Sequence, residues 1–175
     1  MSQNVPSFAD LLDSARESAV HLEMRDAYGV ASEADTVRRW LETGEVDDDP
    51  DSEYWKPWTD LIRRTVARGV PVRRARIVSE PVTDYIRYEH AGTAANVAAG
   101  EQVRWLPRRQ ASSIALPGND FWLIDSRLIR WNHFTGDGAS APGEISEDPD
   151  AARLCAEAFE TVWARAIPHD EYKIH

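Results

Sequence analysis

The segment 119-NDFWLIDSRLIRWNHFTGDG-138 gathers Asp120, Asp125 and His133 around an apolar run, the residue types from which acid/base chemistry is built. To act as a pair, two carboxylates need unlike environments and a reachable partner. Asp120 and Asp125 flank the strand-like run Phe121 to Ile124, so in an extended segment they point to opposite faces. Turn formation is the simpler role for both, Asp120 in the preceding PGND turn and Asp125 at a hairpin tip formed with Ser126. His133 alternates with Trp131 along the next strand, a position that suits a hydrogen-bonded edge or core histidine as well as a base.

The remaining histidines, His21, His90, His169 and His175, show no HxxxH, HExxH or Cys/His grouping, so no metal is expected. The chain also lacks GxGxxG, GxxxxGK[ST] and GxSxG, and no cofactor is expected. The acidic stretch 45–53 lacks the glycine and terminal glutamate of a calcium loop. The one cysteine, Cys155, falls in a helical apolar stripe and reads as a small buried hydrophobe.

Arginine carries the stronger signal. Arg74 and Arg76 lie on one strand, Arg104 on the next, and Arg108 and Arg109 just beyond it. Open α/β sheets place ligands at the carboxyl ends of their strands, where such arginines could grip a carboxylate or phosphate. The competing reading pairs them with Glu80, Asp84, Glu89 and Glu101, which are equally near in sequence. Most of the seven tryptophans sit in expected stripes or strands, whereas Trp55 and Trp58, beside the acidic loop, are the ones expected to be partly exposed.

Positioning these residues requires an α/β framework. A helix is expected from Phe8 to about Glu17, then a strand in which Val20, Leu22 and Met24 face the core and His21, Glu23 and Arg25 face water. Ser32 and Asp35 in capping-box spacing and Gly44 bracket a helix with Val37, Trp40 and Leu41 on one face. A helix from 54 to 67, a strand over 70–79, a helix over 80–100 with a break at Gly92, and a strand over 102–107 follow. The last three form a β-α-β unit with parallel strands. Then come a short strand over 111–117, the hairpin, an acidic Gly/Pro-rich loop over 135–150, and a helix over 149–166 with Leu154, Cys155, Ala158 and Val162 on one face. The tail after it reads as a polar terminus. The expectation is a single α/β domain over 1–175, core 8–172, with a mixed sheet flanked by helices.

Composition sets further bounds. The 175 residues suit one core. No apolar run approaches the roughly 20 residues of a membrane span, and the acidic start lacks a signal-peptide pattern, so a cytoplasmic protein with no membrane partner is expected. The net charge of −10 divides into −10 over 1–62, +6 over 63–134 and −6 over 135–175. The segments can neutralise one another on folding, and the overall charge opposes direct DNA binding.

The blocks RARIVSEPVTDYIRYEH, AGEQVRWLPRR, LPGNDFWLID and VWARAIPHDEY resemble an uncharacterised actinobacterial family of domains of unknown function. Its members are often encoded beside helix-turn-helix regulators, which implies a regulatory or signalling setting. The strand-helix-strand order and the DFWLID hairpin also resemble the phospholipase-D-like fold. Aligning Asp125 with the aspartate of that family's HxKxxxxD places Gly118 and Asp120 where its histidine and lysine belong. Hydrolysis by that mechanism is therefore not available, and the resemblance implies a non-catalytic relative whose cleft candidates are Arg76, Arg104, Arg108, Asp120 and Asp125. The expected function is a non-enzymatic regulatory module that binds a partner protein, such as a helix-turn-helix regulator, or a small anionic ligand. The alternative is a phosphate- or nucleic-acid-directed enzyme using the arginine cleft, with Asp125 or His133 as base.

Overall fold

A computed structural model describes residues 5–29 and 33–174. Its spine is a seven-stranded mixed sheet whose strands lie, from one edge to the other, in the order Glu144–Ser146, Leu128–Asn132, Asp120–Ile124, Ala19–Glu23, Val72–Val78, Gln102–Pro107 and Ile167–Pro168. Strand β1 (Ala19–Glu23) pairs in parallel with β2 (Val72–Val78), and β2 in parallel with β3 (Gln102–Pro107). On the other flank of β1, β4 (Asp120–Ile124), β5 (Leu128–Asn132) and β6 (Glu144–Ser146) run as an antiparallel meander.

Both faces of this sheet are covered. Helix α5 (Pro149–Arg165) buries Cys155, Phe159 and Val162 against Leu22, Ile77, Leu106 and Phe121. On the opposite face, α1 (Phe8–Ser14) and α3 (Lys56–Ala67) bury Leu12 and Ile62 against Ala19, Val72 and Trp122. Helix α4 (Asp84–Ala98) sets Ile86 against Val103 and Trp105 on that same face. Helix α2 (Ala34–Thr43) lies outside α4 and buries no residue of its own.

Local chemistry accounts for the helix ends. Ser7 and Asp10 close a capping box on α1, Thr83 caps α4 through the Ile86 amide, and Asp148 caps α5 ahead of Pro149. Gly44 ends α2 in the left-handed conformation that a side chain would resist. The Ser32 half of the expected capping box lies outside the described residues.

Several expectations need correcting. Helix α1 stops at Ser14 rather than near Glu17. The His21 and Glu23 side of β1 is covered rather than wet, with His21 buried and Glu23 partly buried, because helices pack over that face of the sheet. Gly92 does not break α4; a Cβ there would stand 3.3 Å from the Trp55 ring, so the glycine makes room for that ring. Residues 111–117 form no strand. A 3-10 turn over Arg108–Ala111 leads into irregular chain whose Ile114 and Leu116 pack on the core directly. The 135–150 loop contributes β6, and Leu154 is exposed while Ala152, Phe159 and Trp163 are buried instead. The tail also has structure. Ile167–Pro168 form β7 on the edge of β3, and Tyr172 is buried, stacked on Trp105 at 5.6 Å.

Candidate functional site

Parallel register places His21 beside Arg74 and Glu23 beside Arg76, so polar side chains from two adjacent strands share one sheet face. Toward the start of these strands that face is apolar, filled by Ala19 and Val72 under α1 and α3. Toward their carboxyl ends it becomes a buried ionic floor. Arg74 Nε donates to Glu101 Oε1 at 2.6 Å and Arg74 Nη1 to Glu23 Oε1 at 3.3 Å. Glu101 also accepts the Asn96 amide at 2.8 Å. Arg76 lies between two carboxylates, with Nε 2.7 Å from Glu23 and Nη2 2.6 Å from Glu89.

Burial alone would raise the Glu23 carboxyl, but Arg76 and Arg74 pull it down to about 2. The same burial, acting on a base, holds His21 at about 3, with Glu23 only partly offsetting it. His21 is therefore neutral at physiological pH, and its tautomer follows from its neighbours. Arg130 Nη1 can only donate, so the Asn132 oxygen faces it at 2.5 Å and the Asn132 amide N–H faces His21 Nε2 at 3.3 Å. Nε2 is then the acceptor, and the proton sits on Nδ1.

Aromatic rings wall the space above this floor. His21 stacks on Trp122 at 4.3 Å, Trp58 meets Trp122 edge-on at 5.9 Å, and Phe8 meets Trp58 at 6.3 Å. With Trp55, Tyr54 and Tyr88 they enclose a cleft of about 470 Å³ whose floor includes His21, Arg74 and Arg76. An annex of about 270 Å³ adjoins it, sharing Phe8, His21, Glu33, Arg74 and Glu89 and adding Tyr28, Tyr85, Asp120 and Phe134. Among the described residues, His21 Nδ1, Trp58 Nε1 and Arg76 Nη1 are buried with no hydrogen-bond partner. All three are donors.

Of the five sequence candidates, the structure brings two to this cleft. Arg76 lies in its floor, and Asp120, 2% exposed, lies in the annex. Asp120 accepts the Met24 amide at 3.0 Å and the Tyr28 hydroxyl, and burial pushes its carboxyl up to about 6. Arg104 projects from the opposite sheet face, over the Trp163 ring at 4.4 Å and bonded to the Trp163 carbonyl. Arg108 clamps strand ends, donating to the Met24 carbonyl at 2.5 Å, the Ile77 carbonyl at 3.1 Å and Ser79 Oγ at 2.9 Å. Asp125 caps the chain between α1 and β1 by accepting the amides of Arg16, Glu17 and Ser18. The arginines thus do not converge, because a period of two sends Arg104 to the face away from Arg76's. The ion-pair reading of Arg74 and Arg76 is seen in their contacts with Glu101, Glu89 and Glu23, and both residues also lie in the floor of the cleft.

His21, Glu23, Trp58 and Trp122 complete the floor and walls. Their signal was the matching i, i+2 polar pattern of His21/Glu23 and Arg74/Arg76 on two strands. Cys155 is a core residue, and its burial pushes the thiol up to about 12. Among the described residues no three metal-ligating side chains gather into a site, and no helix is long and apolar enough to cross a membrane.

The fold has relatives among solved structures. A phospholipase D family member, Nuc, from Salmonella typhimurium, is similar over 91% of this chain and 86% of its own, with a TM-score of 0.52 at 14% identity. That likeness extends to the fold alone, a phospholipase-D-like mixed sheet between helical layers. TrmBL2, an archaeal chromatin protein, is similar over 91% of this chain and 48% of its own, with a TM-score of 0.48 at 13% identity. No curated protein sequence matches the chain. Residues 6–174, nearly the whole chain, match the family described as "Domain of unknown function (DUF6879)", and the protein belongs to that family.

Proposed function

We propose that this protein is a non-enzymatic binding module whose cleft takes a small planar ligand bearing a carboxylate or phosphate acceptor. The observation that carries this reading is an aromatic-walled cleft of about 470 Å³ whose lining residues His21, Trp58 and Arg76 each hold a buried, unpartnered donor. Ligand pockets typically span about 300–1,000 Å³ and combine apolar walls with a few convergent polar groups. A buried donor without an acceptor costs about 1–3 kcal/mol, which an acceptor on a ligand would recover.

The same geometry argues against turnover. His21 is held at about 3, too weak a base for proton transfer near neutrality, and Glu23 is locked between two guanidinium groups. The resemblance noted from sequence suggests the setting: a cytoplasmic regulatory module that reports ligand occupancy to a helix-turn-helix partner, for which a net charge of −10 provides electrostatic complementarity.

A second reading, a phosphate-directed enzyme, draws on Asp120, whose raised carboxyl would suit a general acid. It lacks the histidine and lysine of the phospholipase D motif, whose places hold Gly118 and Asp120.

The test is titration of 4-ethylbenzoate and 4-ethylphenyl phosphate against intrinsic tryptophan fluorescence, since Trp55, Trp58 and Trp122 line the cleft. Saturable quenching is expected, weakened at least fivefold in Trp58→Phe, which keeps a ring and removes the donor. A flat titration with both probes to millimolar concentration sinks the reading. Release of inorganic phosphate from the second probe, abolished by Asp120→Asn, would replace it with the enzymatic one.

A further inference from the structure

The annex differs from the main cleft in what it lacks. Two of its carboxylates have no cation: among the described residues no basic side chain lies within 4.0 Å of Glu33 or Asp120. Glu33 Oε2 accepts the Tyr85 hydroxyl at 2.8 Å, and Asp120 accepts the Tyr28 hydroxyl, so both are held by neutral phenols. Burial and the neighbouring Glu89 raise the Glu33 carboxyl, and burial raises that of Asp120, which is how anions behave when no counter-charge stands next to them. Glu23 and Glu89, on the same annex, are already matched to Arg74 and Arg76.

Two other cations stand near. Arg130 lines the annex and not the main cleft; its guanidinium is engaged 4.0 Å over the Phe8 ring and donates to Asn132. Arg25 lies 4.9 Å over the Phe134 ring and opposes the rise at Asp120 without cancelling it. The annex walls are Tyr28, Tyr85 and Phe134, aromatic faces that attract a cation. Independently of these acids, His21 is 6% exposed, borders both chambers, and carries an unpartnered Nδ1–H that suits the acceptor end of a ligand spanning them.

Building on the cleft reading above, we infer that the annex receives a positively charged group held by Glu33 and Asp120, so that the ligand is amphoteric. Its planar, acceptor-bearing body lies in the main cleft over Arg76, against the aromatic walls, and a primary ammonium on a short arm reaches the annex.

Three matched probes separate the two claims by isothermal titration calorimetry at pH 7.5: 4-(2-aminoethyl)benzoate, 4-ethylbenzoate and 2-phenylethylamine. The amino acid is expected to bind at least tenfold tighter than 4-ethylbenzoate. In Asp120→Asn that gap should shrink severalfold while 4-ethylbenzoate keeps its affinity, and in Glu33→Gln, whose residue also lines the main cleft, the gap should shrink severalfold relative to 4-ethylbenzoate measured on the same variant. Glu33 precedes an exposed helix, so its variant leaves the core untouched. Equal affinity of the two acids, or a gap that survives both substitutions, overturns the annex assignment and leaves the cleft reading standing. Binding of 2-phenylethylamine with no binding of 4-ethylbenzoate supports the annex and overturns the acceptor cleft. If none of the three binds, both fall.

Discussion

Arg76 and Glu23 stand side by side on adjacent parallel strands, Nε 2.7 Å from Oε2, with only 6% and 15% of their side chains exposed. A buried pair of this kind contributes little net stability over a well-packed apolar pair, but removing one partner strands the other charge at a cost of about 3–5 kcal/mol. Glu23→Gln should therefore destabilise the fold by about 3 kcal/mol in urea denaturation near neutral pH. The Glu23 carboxyl is lowered in the folded state to about 2, so its contribution is present above the ordinary value of 4.5 and is lost as pH falls toward 2. The difference between wild type and Glu23→Gln should narrow across that window. A constant difference from pH 7 to pH 3 would mean that the carboxylate is not held by the arginines.

Asp120 has the opposite sign. Its folded value, raised to about 6, means the native state prefers the protonated acid; the stabilisation is present below the unfolded value near 4 and is lost as pH rises through 6. Asp120→Asn, which removes the ionisable group and keeps the shape, should gain about 1–3 kcal/mol over wild type at pH 8 and nearly nothing at pH 4. Urea midpoints at the two pH values test it, and a variant less stable than wild type at pH 8 refutes it.

His21 supplies a spectroscopic check on the cleft floor. Because burial lowers it to about 3 and Asn132 occupies Nε2, its ring should show the neutral Nδ1–H tautomer by ¹⁵N NMR with no titration between pH 8 and pH 5. A midpoint near 6.5, or the Nε2–H tautomer, would remove one of the three donors on which the proposed function rests.

The sequence pattern shows which residues share a face, but not whether that face is covered. Alternation correctly put Val20 and Leu22 opposite His21 and Glu23. That His21 is buried and Glu23 partly so depends on α1, α3 and α4, whose helical stripes say only that they cover something. For the same reason Asp120 and Arg76 could be named while Trp122 passed as core and Trp58 was expected only to be partly exposed. The β2-α4-β3 unit, the hairpin and α5 were legible because their signals are local: a β-branched run, apolar positions at helical spacing, and two turn residues. Strand β7 was not, since two residues ending in proline form an edge strand only where β3 offers one, and Tyr172 finds its place by stacking on Trp105.

Asp125 tests the division between turn and chemistry that the hairpin first raised. It and Ser126 adopt φ of 51° and 53°, the left-handed pair of a type I′ turn, a conformation in which aspartate and asparagine are tolerated better than alanine. Its carboxylate also accepts three backbone amides, those of Arg16, Glu17 and Ser18, tying the hairpin tip to the α1–β1 connection. It lies at the far end of β4 from Asp120, roughly 15 Å away at the usual strand rise. Asp125→Ala removes the acceptors and adds backbone strain, and should cost about 2–3 kcal/mol. Asp125→Asn keeps an acceptor and the left-handed preference, and should cost about 1 kcal/mol or less. Both variants should bind 4-ethylbenzoate as wild type does at temperatures where they are folded. Loss of probe binding in Asp125→Asn without loss of stability would place this aspartate at the site after all, and would reopen the cleft's boundaries.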